Sequence, residues 1–303
     1  MTKTALISKI QHYSTKDGPG LRTTVFFMGC NLKCVWCANP ENLKSRKRVF
    51  YFKERCQHCG LCVKHAENNS IRFSKVGCII DRERCTNLID MVDLCPYDAY
   101  ELVGKEMTAE ELVKKLLRDK EFYEIGQGGV TFSGGEAALW DEFLFEVCEK
   151  LRKEKVHICL DTAGLIAADR FEKLVNNVDM VLFDIKALDD EIHKKCTSVS
   201  NKQILENAKL LAERNIPTIV RLVIVPEYND DERDLKARID FVTEMGECVK
   251  QVDFLKYHIY GIGKYEKLDE TYPMEGNLQL EDAFVEKICE YARAKGLQVT
   301  VGG

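Results

Sequence analysis

The sequence predicts an α/β protein: a partial barrel of about six βα units, interrupted near its start by a small cysteine-rich insert. Three observations carry this. From about residue 105 onward, short β-branched runs alternate with longer segments of helical periodicity. Residues 50 to about 104 break that rhythm and concentrate cysteine. A chain of 303 residues has the length of one barrel-sized domain or two smaller ones. The expected division is therefore a barrel from residues 1–49 and 105–303 with residues 50–104 inserted.

The bulk composition narrows the class. Lys and Arg number 44 against 49 Asp and Glu, and a net charge of −5 points to no nucleic-acid partner. No apolar run reaches the ~18 residues of a membrane span. The first residues, Met1-Thr2-Lys3-Thr4-Ala5, lack an apolar signal core, so a cytoplasmic protein is expected. Fourteen cysteines are many for a reducing compartment, where clustered thiols are metal ligands or catalysts more often than disulfides.

In chain order, Ala5–Ile10 reads as a short edge strand. Asp17-Gly18-Pro19-Gly20-Leu21-Arg22 reads as a turn, because Gly-Pro-Gly continues neither helix nor strand. Thr23–Met28 is β-branched and aromatic and reads as a buried strand. The loop that leaves it carries Cys30-x3-Cys34-x2-Cys37. A closed zinc site or a ferredoxin cluster takes four protein ligands. Three close thiols without a nearby fourth suggest an iron–sulfur cluster with one iron open to substrate, at the strand end where α/β barrels keep their chemistry. A zinc knuckle or scattered core cysteines is the plainer alternative.

Residues 44–48, Lys-Ser-Arg-Lys-Arg, read as a solvated linker or as a docking patch for an acidic partner. The insert follows, with Cys56-x2-Cys59-x2-Cys62, Cys85 and Cys95-Pro96. The two-cluster ferredoxin template repeats Cys-x2-Cys-x2-Cys-x3-Cys-Pro and sends each fourth cysteine to the other cluster. Aligned to it, Cys56, Cys59, Cys62 and Cys95 form one complete set. The other set retains only Cys85, with Ala66, Leu88 and Met91 at its remaining positions. One auxiliary 4Fe-4S cluster in a ferredoxin-like insert is expected. Cys78 and His65 offer a poor replacement set for the second. Cys78, Cys85, Cys148, Cys159, Cys196, Cys248 and Cys289 are otherwise read as small buried hydrophobes.

Thr108-Ala109-Glu110-Glu111 is a capping box. After it come strands near Gly129–Ser133, Val156–Asp161, Met180–Asp184, Thr218–Val225, Val252–Tyr260 and Gln298–Val301. Helices are expected near Asp141–Lys153, Ala168–Asn176, Lys202–Arg214, Asp230–Glu244 and Leu280–Lys295.

The Cys30, Cys34, Cys37 spacing with aromatic Trp36 resembles the radical S-adenosylmethionine (radical SAM) signature. Asp17-Gly18-Pro19-Gly20 before it and Asn39-Pro40-Glu41 after it are similar to the activating enzymes of glycyl radical enzymes. The resemblance implies a site-differentiated 4Fe-4S cluster on the three thiols, S-adenosylmethionine as cofactor, and Trp36 near its adenine. It implies that Gly134, Gly135 and Glu136, which end a strand, bind the cofactor's amino group; Ala137 stands where the family often has Pro. Members often carry two auxiliary clusters, and this chain departs from that. Two buried acids at neighbouring strand ends, Asp161 and Asp184, need pairing or a cation. By resemblance they hold a monovalent cation with the carbonyls of Thr162 and Leu182; helix caps are the alternative. Arg221 and His258 would contact the cofactor, although His258 also suits a core histidine. Lys186 would lie near the substrate peptide, and Asp17 would touch the partner's glycine loop.

The function so implied is reductive cleavage of S-adenosylmethionine and removal of hydrogen from a glycine of a partner glycyl radical enzyme. A flavodoxin or ferredoxin would supply electrons, and a monomer is expected. Two other functions remain open at this point: radical SAM chemistry on another small molecule or peptide, and a plain electron-transfer protein working through the insert.

Overall fold

The computed structural model of the protein describes residues 3–75, 77–274 and 278–302. Its strands are β1 (Thr4–Ser14), β2 (Arg22–Phe27), β3 (Arg48–Tyr51), β4 (Ile71–Ser74), β5 (Gly77–Ile80), β6 (Tyr100–Val103), β7 (Lys105–Thr108), β8 (Gly129–Gly134), β9 (His157–Thr162), β10 (Met180–Asp184), β11 (Thr218–Ile224), β12 (Val249–Lys256) and β13 (Val299–Val301). One nine-stranded sheet runs β13-β12-β11-β10-β9-β8-β2-β1-β7. From β2 to β13 every neighbouring pair is parallel, while β1 pairs antiparallel with both β2 and β7. The sheet does not close, which makes it the partial barrel expected.

The sequence pattern explains the layering. The central strands turn Val25, Val130, Phe132, Ile158 and Leu160 toward the helices and set Ser133, Asp161 and Arg221 on the lumen face. Helices Asp141–Lys153, Ala168–Val175, Lys202–Glu213, Glu232–Glu244 and Asp282–Ala294 fall within a few residues of their expected places. They cover the sheet through one continuous core that includes Phe27, Phe132, Phe171, Phe183 and Phe254. Burying each such ring contributes roughly 1.5–3 kcal/mol. The capping box forms: the Thr108 N–H donates to Glu111 Oε2 at 2.9 Å, and Glu111 N–H to Thr108 Oγ1 at 3.2 Å.

Two expectations need correction. The first strand is longer than Ala5–Ile10 and is not an edge, because β7 covers it with Ala5 opposite Met107. The short polar sequence Lys-Glu-Met-Thr gave β7 no strand signature of its own. The basic run 44–48 is not a uniformly solvated linker: Arg48 is buried in β3, where its Nη2 donates to Glu270 Oε1 at 2.6 Å.

The insert hangs from a stem in which β3 pairs antiparallel with β6, Arg48 opposite Val103 and Tyr51 opposite Tyr100. A second small hairpin, β4 with β5, lies beyond it. Tyr51, Ile71, Ile80, Met91 and Tyr100 give this part an apolar cluster separate from the barrel core.

At the N-terminal end of the parallel strands the Asp17–Gly20 turn folds under the lumen. Arg22 is 1% exposed there. Its Nε donates to Thr131 Oγ1 at 2.7 Å, and its Nη atoms donate to the carbonyls of Pro19 at 2.9 Å and Val130 at 2.6 Å. A Cβ on Gly18 would stand 3.2 Å from Cys159 Sγ, so the turn seats directly on that strand. The other end of the lumen is the site.

Candidate active site

The loop after β2 is held from three sides. Gly29 N–H donates to the Asn42 carbonyl at 2.7 Å, and Asn31 Nδ2 to the Leu165 carbonyl at 2.6 Å. Lys33 and Val35 N–H groups donate to the carbonyls of Thr197 and Cys196 at 2.9 and 3.0 Å. Those carbonyls end helix Asp190–Thr197, a helix for which the sequence gave no expectation. The last carbonyls of any helix lack partners within it, and here the cysteine loop supplies them. Cys30, Cys34 and Cys37 are half-buried on one wall of a cavity of about 830 Å³.

Burial pushes the thiols of Cys30 and Cys37 up to about 12 and raises Cys34 as well. Bare, these groups stay protonated; as metal ligands they lose their protons. Among the described residues no three Cys, His, Asp or Glu side chains converge as they would around one metal ion. Three thiols spread along a cavity wall, with no fourth donor in their loop, fit a cluster that leaves one iron for another ligand.

The ends of β8, β9 and β10 face the same cavity with Ser133, Gly134, Gly135, Asp161, Thr162 and Asp184. The two glycines let the strand end close on the cysteine loop. A Cβ on Gly134 would stand 2.2 Å from Phe27 N, and one on Gly135 would stand 2.3 Å from the Gly29 carbonyl oxygen. Glu136 is not on the cavity wall. It is 1% exposed and accepts from Thr162 Oγ1 at 2.7 Å and from the N–H groups of Ala138 and Ala163 at 3.0 and 2.9 Å. Burial outweighs these bonds and raises its carboxyl to about 7. The structure thus sets Glu136 behind the glycines, where it ties β8 to the end of β9.

Asp161 and Asp184 do face each other, and Arg221 lies between them. Its guanidinium meets Asp161 Oδ1, and its Nε is 2.8 Å from Asp184 Oδ1. Lys186 Nζ is 3.0 Å from Asp184 Oδ2, and Ser133 Oγ donates to Asp161 Oδ2 at 2.6 Å. Arg221 sits in the middle of β11, opposite Asp184, so its side chain crosses the lumen. At Asp184, which meets both cations, their pull exceeds the effect of burial and holds the carboxyl below its usual range. At Asp161 burial exceeds the pull of Arg221 and raises it. Thr162 Oγ1 is spent on Glu136, and Leu182 is buried in β10 opposite Asp161 and Ile219.

The remaining expected residues also reach the cavity. Trp36 and Lys186 line it, and Asp17 lines it from the turn side with its Oδ2 accepting from Thr24 Oγ1 at 2.6 Å. His258 lines it too, stacked on Tyr260 with ring centroids 4.6 Å apart, and burial lowers its pKa. Sequence reasoning missed Asn39, Lys256, Tyr257 and Val301, which are among the other residues on the wall. It also missed Lys264, whose Nζ is 2.6 Å from both Asn39 Oδ1 and Glu41 Oε1. Asn39 and Glu41 stood in a quoted motif, but nothing in the sequence connected them with a lysine more than two hundred residues away.

In the insert, Cys56, Cys59, Cys62 and Cys95 line one small gap of about 10 Å³, with Cys59 exposed at its surface. Cys78 is on the same gap, and Cys85 is not. Cys85 instead packs with Met91, Leu88 and Ala66 in the insert's apolar cluster. The other cysteines read as hydrophobes, Cys148, Cys159, Cys196, Cys248 and Cys289, are all buried.

The chain is similar to known proteins. The Radical SAM superfamily model matches residues 24–238. The chain is 35% identical to the (2S)-3-sulfopropanediol dehydratase activating enzyme of Klebsiella oxytoca, over 98% of this chain and 96% of that protein. It is 34% identical to the trans-4-hydroxy-L-proline dehydratase activating enzyme of Clostridioides difficile, over 98% and 99%. It is 31% identical to the pyruvate formate-lyase 2-activating enzyme of Escherichia coli strain K12, over 99% and 93%. A solved domain of pyruvate-formate lyase-activating enzyme from Bacteroides vulgatus ATCC 8482 superposes with a TM-score of 0.50 at 25% identity, over 58% of this chain and 99% of that one. Streptococcus suis SuiB bound to precursor peptide SuiA shares the fold, with a TM-score of 0.57 at 15% identity over 91% of this chain and 47% of that one. Geometry and likeness agree, and the chain belongs to the radical SAM superfamily and, within it, to the activating enzymes of glycyl radical enzymes.

Proposed function

We propose that the protein reductively cleaves S-adenosylmethionine and takes a hydrogen atom from the α-carbon of one glycine in a partner glycyl radical enzyme. The observation that carries this reading is the three-thiol loop opening into the cavity at the strand ends, beside a paired set of carboxylates and cations. Cys30, Cys34 and Cys37 would hold a 4Fe-4S cluster, which would supply the single electron that reductive cleavage of S-adenosylmethionine needs.

The chain's own residues position and shield. Cys196 and Thr197 carbonyls fix the loop, so the thiols enter the reaction preorganised. Gly134 and Gly135 bare the strand-end backbone toward the cofactor's amino group. Trp36 and His258 offer flat surfaces on the cavity wall to the nucleoside. Lys186 and Asp17 bracket the cavity's depth, where the partner's glycine segment would enter. The Asp161, Asp184 and Arg221 set gives a fixed polar floor, where the two acids, with the carbonyls of Thr162 and Leu182, would hold a monovalent cation.

The insert of residues 50–104, in this reading, carries one ferredoxin-like auxiliary 4Fe-4S cluster on Cys56, Cys59, Cys62 and Cys95. The donor chemistry supports it, because these thiols share one gap. Its small volume means that the thiols part on loading. Electrons come from a flavodoxin or ferredoxin, and the protein works as a cytoplasmic monomer. Among the described residues no helix is long and apolar enough to cross a membrane.

The test is anaerobic reconstitution followed by reaction with S-adenosylmethionine, reductant and a cognate partner. A doublet electron paramagnetic resonance signal on a partner glycine and release of 5′-deoxyadenosine are expected, and Cys34→Ala should abolish both. A glycyl signal at wild-type yield from Cys34→Ala would sink the reading.

A further inference from the structure

The ligand set proposed for the insert leaves Cys78 aside, yet its thiol is part of the same site. Cys78 is the second residue of β5, opposite Phe73, and it points inward with Ile80 while Ile79 between them is 46% exposed. Its N–H donates to the Tyr51 hydroxyl at 2.8 Å, which fixes the backbone beside the gap. Its Sγ is 3.7 Å from Cys62 Sγ. Tyr100 closes the same wall, its buried hydroxyl turned to the Cys62 thiol.

Five thiols therefore surround a place where a four-iron cluster takes four, one per iron. Cys62 and Cys78 are in direct contact on the wall of that gap, so either thiol reaches the place that the other would serve.

Resting on the auxiliary-cluster reading, we infer that Cys62 and Cys78 are interchangeable ligands of one iron of that cluster. In the exchange the iron–sulfur bond to Cys62 breaks as the bond to Cys78 forms. The proton of the Cys78 thiol passes to the Cys62 sulfur, with no change of oxidation state. Cys59 is exposed at the surface, and among the described residues no thiol is hydrogen-bonded to it as Cys78 is to Cys62.

Iron content after anaerobic reconstitution decides this on the full chain, with reduced-cluster electron paramagnetic resonance as a second readout. Wild type, Cys62→Ala and Cys78→Ala should each hold about eight irons, whereas Cys59→Ala and the double variant Cys62→Ala/Cys78→Ala should hold about four. The auxiliary-cluster signals of the two single variants should differ in shape, since a different thiolate remains in each. Cys62→Val, which refills the side-chain volume, repeats the arm should Cys62→Ala melt early. About four irons in either single variant, or about eight in the double variant, overturns the exchange. About four irons in wild type itself instead overturns the auxiliary cluster.

Discussion

Lys264 and Glu41 form an ion pair at 2.6 Å across 223 positions of chain, and Lys264 holds Asn39 at the same distance. The pair ties the segment after β12 to the residues immediately behind Cys37. A Cβ on Gly261 would stand 2.6 Å from Ala38 Cα, so the two segments are also in direct backbone contact. Glu41 is 7% exposed; Lys264 meets its Oε1, and its Oε2 has no hydrogen-bond partner among the described residues. Lys264→Ala leaves that carboxylate unpaired and should cost about 2 kcal/mol, below the buried-pair range because Lys264 itself is partly solvated. Glu41→Gln/Lys264→Met should recover most of the loss. Thermal melting of the three proteins checks it.

Arg221 should tolerate substitution poorly. Arg221→Met leaves Asp161 and Asp184 facing each other with only Lys186 to offset them, at an expected cost of roughly 3–5 kcal/mol. Arg221→Lys should recover part of the stability, because an ammonium cannot bridge two carboxylates as a guanidinium does. Denaturant unfolding and binding of S-adenosylmethionine, measured together, report the two effects.

The pH dependence of the apo protein should carry the mark of Glu136. Its folded pKa of about 7 lies above the ordinary carboxylate value, so the folded state favours the protonated acid. That stabilisation is complete below the unfolded pKa near ~4.5 and is lost as pH rises through about 7, a change of up to about 3 kcal/mol. Glu136→Gln, a neutral isostere of the favoured acid, should match wild type at low pH, exceed it above about pH 7 and flatten the curve across that window. Unfolding at a series of pH values shows whether it does.

Iron loading of the triad should release protons. Thiols pushed up to about 12 at Cys30 and Cys37 must deprotonate to bind, so raising the pH favours reconstitution. Proton release in weak buffer should fall in Cys34→Ala.

Cys95 and Cys85 should separate cleanly. Cys95 lines the thiol gap and Cys85 packs against Leu88 and Met91, so Cys95→Ala should lose about four irons and Cys85→Ala none. The opposite result in iron analysis would reassign the site.

Much of this was legible in the sequence because it is local. The triad, the capping box at Thr108 and the β-branched runs are each written in a few adjacent residues. The alternation of strand and helix then puts Asp161 and Asp184 on one rim. What was not legible depends on distant partners. Arg221 was expected at the cofactor; it does line the cavity, but its pairing with both acids depends on the register of β11 and could not be read from the sequence. Glu136 follows its glycines in sequence, yet extended backbone turns successive side chains to opposite sides, and Glu136 faces the sheet interior. The helix Asp190–Thr197 carries Lys, His and Asp among few apolar residues, so periodicity could not reveal that its end would clasp the cysteine loop.

The buried Arg22 has a consequence for traffic. With its guanidinium spread across Thr131, Pro19 and Val130, it stoppers one end of the lumen. The lumen is thereby plugged at the N-terminal ends of its strands, and the cavity that Asp17 lines from below is approached from the strand-end side.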